Sequence, residues 1–296
     1  MSHGKRVVVT GARGGVGVRA VHALSAAGYD VIATDQLAPL VDYPWDASVH
    51  YYEADLADAG SAFAIVQDAD VVVHTAAIPT PEFHPAHVVF ANNIISTFNI
   101  LEASVRCKVR RFVNISSETV PGFIFAERAF GPTYVPVDEE HPIKPQDPYA
   151  LAKHFGEQLM DAAVRRSEIR CISIRPSWVQ HPNDYQRWLA AAIRDPSEMT
   201  QNAWSYTDAL DLADAIVLAA NSTLDGHEVF YIAAPDNMTG RPLAELVATY
   251  LGDSVELRPT AREDASGISC AKAERLLGYS PTRSWRDHLF DDGTPR

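Results

Sequence analysis

KRVVVTGARGGVG, residues 5–17, joins a short apolar run to a turn that holds four glycines. An apolar strand, a glycine-rich turn and a following helical pattern are typical of the first βα unit of a doubly wound sheet. In such a unit, the backbone amides at the start of the helix complement the charge of a pyrophosphate. The residues of this turn that are predicted to bind a dinucleotide are Gly11, Arg13, Gly14, Val16 and Gly17.

Short apolar runs and longer helical patterns alternate through the first half of the chain. Strands are predicted at 6–10, 30–35, 50–54, 70–75, 111–116 and 169–175. Helices are predicted at 16–27, 59–67, 86–105 and 148–166, and further on at 243–251 and 270–277. The alternation predicts an α/β fold of Rossmann type, a doubly wound parallel sheet with a smaller C-terminal substrate-binding region. We assign the dinucleotide domain to 1–175 and the substrate region mainly to 176–296, interleaved through a strand near 229–233 that returns to the sheet.

The second predicted strand ends in Asp35, where a carboxylate can accept hydrogen bonds from the hydroxyls of an adenosine ribose. The same carboxylate repels a 2′-phosphate, so Asp35 favours NAD over NADP as the cofactor. Arg13 argues in the other direction, because a guanidinium in the glycine turn can pair with a 2′-phosphate. NAD is the preferred interpretation.

Near the middle of the chain, Tyr149 and Lys153 stand four residues apart on a predicted helix that Asp147 can cap. A phenol titrates near pH 10 in isolation, so Tyr149 acts as a base at neutral pH if the ammonium of Lys153 stabilises the phenolate. On spacing alone, the pair could equally be an exposed one without function. The preceding strand delivers Ser116 and Ser117 to the carboxyl edge of the sheet, where open α/β folds bind their ligands, and this favours a catalytic pair.

Composition excludes several classes of function. The chain has 296 residues, 47% of them hydrophobic, and a formal net charge of -13, which opposes binding to nucleic acid or to an anionic membrane. Its three cysteines are widely spaced and are expected to be reduced thiols of a cytoplasmic protein. The first apolar run is too short for a signal-peptide core, and no run of about 18 apolar residues predicts a membrane span.

Two further polar groups are interpreted as structural. No cysteine or carboxylate stands at ligand spacing from His84 and His87, so no metal is expected. Three carboxylates recur at intervals of three residues and are expected on the solvated side of a helix: Asp208, Asp211 and Asp214.

Taken in order along the chain, these motifs resemble the extended short-chain dehydrogenase/reductases, the NAD-dependent epimerase/dehydratase family. The resemblance rests on TGARGGVG from Thr10, Asp35, Asp55-Leu56, HTAA from His74, Asn93, the Ser-Ser segment, Tyr149 with Lys153, and Arg175-Pro176. It implies that Ser117 orients the substrate oxygen, that Tyr149 exchanges a proton, and that Lys153 also holds the nicotinamide ribose. It further implies a supporting role for Asn93 and cofactor contacts from Asp55, Leu56, Ala76, Ala77, Asn93, Tyr149 and Pro176. Relatives often dimerise through the helices that correspond to 86–105 and 148–166.

Within this family, residues 177–187 resemble the uronate dehydrogenases, with matches at Ser177, Pro182, Asn183 and Tyr185. Gln186 stands where those enzymes have an arginine for the substrate carboxylate, and Arg187 comes one residue late. Glu118 follows Ser117 where an asparagine is expected, and a carboxylate there would repel a carboxylate substrate. The residues predicted to face the substrate are Ser117, Glu118, Thr119, Tyr149, Ser177, Gln186 and Arg187.

The sequence therefore predicts an NAD-dependent oxidoreductase that oxidises a secondary or anomeric hydroxyl of a neutral sugar or related polyol. A 4-epimerase of nucleotide-linked sugars, which transfers the hydride and returns it, is the main alternative. A carbonyl reductase and a catalytically silent cofactor-binding regulator are further alternatives. The regulator is disfavoured because Tyr149 and Lys153 are both retained.

Overall fold

The computed structural model describes residues 5–39, 45–46 and 48–296. The chain divides into two compact units. The first unit comprises Met1–Ser116, Asp147–Ile174 and Ala213–Val229, and the second comprises Ser117–Gln146, Arg175–Leu212 and Phe230–Arg296. Residues 117–146 thus belong to the second unit although they precede position 175.

Among the described residues, the strands are β1 Arg6–Thr10, β2 Asp30–Asp35, β3 Val49–Glu53, β4 Val71–His74, β5 Arg111–Ile115, β6 Tyr134–Val135, β7 Arg170–Pro176, β8 Val179–Gln180, β9 Thr207–Asp208, β10 His227–Ile232 and β11 Glu256–Leu257. The α-helices are α1 Gly15–Ala26, α2 Ala59–Val66, α3 Ala86–Arg106, α4 Pro148–Arg166, α5 Ala190–Arg194, α6 Ala209–Asn221, α7 Leu243–Leu246 and α8 Ala271–Leu277. Short 3-10 or π turns occupy Tyr185–Leu189, Pro196–Asn202, Val247–Leu251 and Trp285–Asp287.

The main sheet has the strand order β10-β7-β5-β4-β1-β2-β3 within the described chain. Strand β1 pairs in parallel with both β2 and β4, so the order of the strands reverses on either side of it. In open parallel sheets a crevice forms at such a reversal, outside the carboxyl ends of the strands. The predicted doubly wound fold is therefore confirmed, and the crevice is expected next to Thr10.

The central strands of this sheet, β1, β4 and β5, are mainly apolar, as expected where helices cover both faces of a parallel sheet. Val7, Val8 and Val9 of β1 are each fully buried, and β4 and β5 are buried along their length. Burial of one such valine side chain contributes about 2 kcal/mol to the free energy of unfolding. Short apolar runs bounded by turns were therefore sufficient to predict the strands of the main sheet. The ends of the predicted strands agree with the observed ones to within two residues.

The second unit has a separate core rich in aromatic side chains, in which Trp204, Trp285 and Tyr206 are fully buried. Asp211 is also buried here, and Arg283 pairs with it at 2.5 Å. Asp208 is buried as well, and its carboxylate accepts a hydrogen bond from the hydroxyl of Tyr185 at 2.7 Å. The prediction that these two carboxylates face solvent is wrong.

Candidate active site

A cavity of about 280 Å³ opens in the first unit where β1, β2 and β4 end. Seven residues predicted to bind the cofactor line it: Gly11, Gly14, Asp35, Asp55, Leu56, Ala76 and Ala77. They come from four separate loops of the sequence. The parallel strands bring these loops to one edge of the sheet, at the place where the strand order reverses.

Seven other predicted cofactor residues are not part of the described lining: Arg13, Val16, Gly17, Asn93, Tyr149, Lys153 and Pro176. Arg13 is half-buried, and its backbone N–H donates to Oδ2 of Asp35 at 3.1 Å. Val16 is also half-buried, in the first turn of α1, while Gly17 is buried beneath the glycine turn. Pro176 lies in the second unit, where its carbonyl accepts the N–H of Glu118 at 3.1 Å. Their contacts with a cofactor stay predictions.

The cavity is also lined by residues that were not predicted from the sequence. Asn92 and Ser96 line it from α3, and His84 lines it from the segment before that helix. The four-residue spacing of Asn92 and Ser96 puts them on one face of α3, which was a usable signal. Thr34 lines the cavity from the end of β2, and nothing in the pattern of that strand distinguished it from a core residue.

The polar groups around the cavity fit a dinucleotide. Helix α1 begins at Gly15, and its N-cap Gly14 supplies no side-chain hydrogen bond, so the amides of the first turn can bind an anion. The hydroxyl oxygen of Thr34 is buried without a hydrogen-bond partner among the described residues. A buried polar atom of this kind is costly unless a ligand or water satisfies it.

Asp35 is predicted to set the choice between NAD and NADP. The change Asp35→Asn removes the charge and keeps the size and the acceptor oxygen that binds the Arg13 amide. We expect the ratio of kcat/KM for NAD over NADP to fall by about tenfold or more, because a 2′-phosphate is no longer repelled while Arg13 remains nearby. Asp30→Asn, at the opposite end of β2, is the control and should leave the ratio unchanged. An unaltered ratio in Asp35→Asn would exclude Asp35 as the determinant.

Asn93, predicted to support catalysis, holds the loop that follows β4. Its Oδ1 accepts the backbone N–H of Ile78 at 2.8 Å, and its Nδ2 donates to the carbonyl of Ile78 at 3.0 Å. The hydroxyl of Thr97 donates to the carbonyl of Asn93 at 2.7 Å and lies 3.0 Å from Nε2 of His74. Ala76 and Ile78 line the cavity and belong to the loop that Asn93 fixes. Asn93 therefore supports the cavity through its hydrogen bonds to Ile78.

Tyr149 and Lys153 lie together at the start of α4. Asp147 caps this helix and accepts the backbone N–H of Tyr149 at 2.9 Å, and Pro148 occupies its first turn. Tyr149 and Lys153 are each 8% exposed, and Nζ of Lys153 lies 5.7 Å from the centre of the Tyr149 ring. The alternative interpretation, an exposed surface pair, is therefore wrong.

The ammonium of Lys153 also donates a hydrogen bond of 2.6 Å to the carbonyl oxygen of Ile115, the last residue of β5. Burial lowers the pKa of Lys153 to about 8, and the negative charge of Glu157 acts in the opposite direction. At pH 7 most Lys153 side chains are still charged, so the positive charge that Tyr149 requires is present.

Four of the predicted substrate residues, Ser117, Glu118, Thr119 and Ser177, cluster in the second unit. The hydroxyl oxygen of Ser117 accepts from the backbone N–H of Thr119 at 3.1 Å and from its side-chain hydroxyl at 3.0 Å. The Ser117 hydroxyl proton can therefore be donated elsewhere. Ser177 donates to Oε2 of Glu118 at 2.6 Å.

The structure alters the interpretation of Glu118. This side chain is 7% exposed, and burial raises its pKa to about 8, although hydrogen bonds from Ser177 and from the backbone of Trp178 oppose the rise. Glu118 is therefore mostly neutral at pH 7. Burial therefore weakens the repulsion that is expected between Glu118 and a carboxylate substrate.

The segment that resembles uronate dehydrogenases contains both exposed residues and a residue of the core. Gln186 and Arg187 are both exposed, and the Arg187 guanidinium lies over the ring of Trp188 at 4.6 Å. Tyr185, which matches the resemblance, is fully buried and bonded to Asp208. The matching tyrosine therefore packs in the core of the second unit.

A family model described as the NAD dependent epimerase/dehydratase family matches residues 7–233, more than half of the chain. The chain belongs to this family. The match confirms the resemblance that rested on the glycine turn at 11–17 and on Tyr149 with Lys153. It also confirms NAD as the cofactor, since the family description names it.

Individual relatives differ in activity. A putative UDP-glucose 4-epimerase of Methanocaldococcus jannaschii is 33% identical over 155 residues, 51% of this chain and 48% of that protein, so the chain spans about half of its length. A uronate dehydrogenase of Pseudomonas syringae pv. tomato is 28% identical over 237 residues, 79% of this chain and 76% of that protein. A solved UDP-glucose 4-epimerase of Thermotoga maritima, 23% identical, has a TM-score of 0.71 and covers 97% of this chain and 96% of its own, which shows the shared fold.

Proposed function

We propose that this chain is an NAD-dependent oxidoreductase that oxidises a secondary or anomeric hydroxyl of a free sugar or related polyol. The observation that carries the proposal is the buried pair on α4, in which the Lys153 ammonium lies 5.7 Å from the Tyr149 ring. A buried phenol beside a buried ammonium is an arrangement suited to proton transfer.

In this reaction Tyr149, as the phenolate, takes the proton from the substrate hydroxyl. Lys153 stabilises the phenolate, and the Ser117 hydroxyl donates a hydrogen bond that orients the substrate oxygen. Bound NAD would supply the acceptor for the hydride of the substrate carbon. The glycine turn, Asp35 and the first turn of α1 bind the cofactor.

The charges of the second unit favour a substrate without a diphosphate. Four of its arginines are paired with carboxylates: Arg258 with Asp138, Arg262 with Asp264, Arg283 with Asp211, and Arg286 with Asp236. Arginines used in this way are not available to a nucleotide diphosphate. Because Glu118 is neutral, a sugar acid also belongs among the substrates to test.

A 4-epimerase of nucleotide-linked sugars is the second candidate. It is favoured by the names of the Methanocaldococcus and Thermotoga relatives. It requires the same Tyr149 and Lys153, since the hydride is removed and then returned to the other face of the substrate. The paired arginines argue against it.

The purified protein should be incubated with NAD and a panel of neutral sugars, uronates and nucleotide-linked sugars, while NADH absorbance and product identity are followed together. Stoichiometric NADH with an oxidised free sugar is the expected result. Interconversion of nucleotide-linked epimers without net NADH would replace the proposal by the epimerase. Absence of any turnover, with NAD bound, would favour the silent regulator.

A homodimer and a soluble, cytoplasmic location belong to the same proposal. Val88, Ile95 and Phe98 of α3 are 36%, 43% and 48% exposed and share one face, and Phe155 of the adjoining α4 is 42% exposed. Helix α3 is long and apolar enough to cross a membrane by composition, but 44% of its apolar window is buried. A second copy packed on this face would bury the remaining apolar side chains. The three cysteines are unpaired thiols, which fits the cytoplasm.

Phe98→Asp should disrupt this dimer. A carboxylate near the centre of an apolar interface has no partner, so we expect the dissociation constant to rise by about 100-fold or more. Analytical ultracentrifugation over a range of concentrations measures the change. Phe63→Asp is the control, because Phe63 is 39% exposed on α2 and lies outside the face formed by α3 and α4. Equal dissociation constants for the wild type and Phe98→Asp would exclude this interface.

A further inference from the structure

The face of α4 that carries Tyr149 and Lys153 continues one turn further to Glu157. These three residues are spaced by four, which puts them one above another on the helix. Glu157 is 3% exposed and is thus at least as buried as the other two. A buried carboxylate is unfavourable unless hydrogen bonds and an opposite charge compensate for the water it has lost.

Glu157 has both a hydrogen-bond donor and a positively charged side chain near its carboxylate. The hydroxyl of Ser116 donates to Oε1 of Glu157 at 2.6 Å, and Lys153 stands one turn before Glu157 on the same helix. The Lys153 ammonium in turn donates to the carbonyl of Ile115 at 2.6 Å. Ile115, the last residue of β5, and Ser116 directly after it are therefore held by two consecutive turns of α4, immediately before Ser117 in the chain.

The charge of Glu157 matters because Lys153 is buried. Loss of hydration lowers the pKa of Lys153 to about 8, and the carboxylate of Glu157 raises it. Without this carboxylate the pKa of Lys153 falls further, so more of the lysine is neutral at pH 7. A neutral lysine cannot stabilise the Tyr149 phenolate.

Among the residues that the structure describes, Glu157 is the carboxylate whose charge raises the pKa of Lys153. His74 on β4 is neutral, because burial, and then the charge of Lys153, lower its pKa to about 3. Helix α3 contributes the uncharged side chain of Thr97, which bonds to His74. One turn beyond Glu157, Asp161 is bonded to His227 of β10 at 2.8 Å.

We propose that Glu157 is a positioning residue, whose carboxylate holds the ammonium of Lys153 and the end of β5 in the arrangement that proton transfer at Tyr149 requires. The proposal rests on the proposed function, because it assigns Glu157 to the proton transfer of that reaction. Glu157 acts through Lys153 and Ser116 and does not itself exchange a proton with the substrate.

The first test is Glu157→Gln, which keeps the size of the side chain and an oxygen that can accept from Ser116 but removes the charge. We expect the acidic limb of the pH profile of kcat/KM for oxidation to move to higher pH by about one unit, while KM for NAD stays nearly constant. The phenolate absorbance of Tyr149, measured as wild type minus Tyr149→Phe over a pH titration, should move in the same direction. This second readout does not depend on turnover, so it distinguishes failure of the inference from failure of the proposed function.

Asp161→Asn is the matched control, since it makes the same acid-to-amide change one turn further along α4. It should leave both the acidic limb and the phenolate titration where they are in the wild type. If Glu157→Gln does not fold, Glu157→Asp carries the test, because it keeps the charge but moves it away from Lys153 and should give a smaller upward shift. A folded Glu157 variant with neither the limb nor the titration displaced would overturn the proposal.

Discussion

Tyr149→Phe is expected to lower kcat by about 1000-fold and to leave the affinity for NAD within about twofold of the wild type. The change removes one oxygen atom and keeps the ring that lies beside Lys153. Without the hydroxyl the proposed proton acceptor is missing, while the cavity that the glycine turn and Asp35 line is unaltered. Steady-state kinetics and NADH fluorescence titration measure the two quantities.

The control for this change is Tyr29→Phe. Tyr29 is 6% exposed, and its hydroxyl donates to Asn221 at 2.8 Å within the same unit. Loss of that hydrogen bond should lower the free energy of unfolding by about 1 kcal/mol without affecting kcat. If Tyr149→Phe retains more than about a tenth of the wild-type kcat, well outside the range for loss of a general base, Tyr149 is not the acid-base residue.

Gly17→Ala is expected to lower kcat/KM for NAD by about 100-fold and the free energy of unfolding by about 2 kcal/mol. A Cβ atom at Gly17 would lie 2.1 Å from the carbonyl oxygen of Gly11, so the glycine turn and α1 must move apart. Gly11 is itself restricted, since its φ is +65° and a Cβ there would lie 2.6 Å from the backbone of Ala76. The displacement therefore reaches the residues that line the cavity.

Two further glycine-to-alanine changes serve as comparisons for Gly17→Ala. Gly14→Ala puts a Cβ 3.2 Å from the Gly11 oxygen and should weaken NAD binding without much loss of stability. Gly131→Ala meets nothing within 4 Å and should behave as the wild type. We expect the largest loss of NAD affinity for Gly17→Ala, a smaller loss for Gly14→Ala and none for Gly131→Ala. Equal effects at Gly17 and Gly131 would contradict the prediction.

The positions of Asp35 and Lys153 were predictable because each depends on a short segment of chain. A strand that ends in a carboxylate, and a lysine one helical turn after a tyrosine, are set by periods of two and 3.6 residues. Asp35 lines the cavity at the end of β2, and Lys153 lies beside Tyr149 on α4, as predicted.

The charge state of Glu118 was not predictable, and neither was the place of Glu157. Glu118 is neutral because it is buried beside Ser177, which stands 59 positions later in the chain. Glu157 bonds to Ser116, which stands 41 positions earlier. The carboxylates Asp208 and Asp211 followed the spacing of an exposed helical face, yet pairing with Tyr185 and Arg283 buries them.

The sequence by itself determined the doubly wound fold, the glycine turn that lines the cavity, and the pair of Tyr149 with Lys153, because strand and helix periods and turn glycines act over a few residues. The tertiary structure decided which carboxylates are charged and what holds Lys153 in place. Burial and hydrogen bonding depend on partners brought together from distant parts of the chain, and these partners change a pKa in ways that no local pattern records.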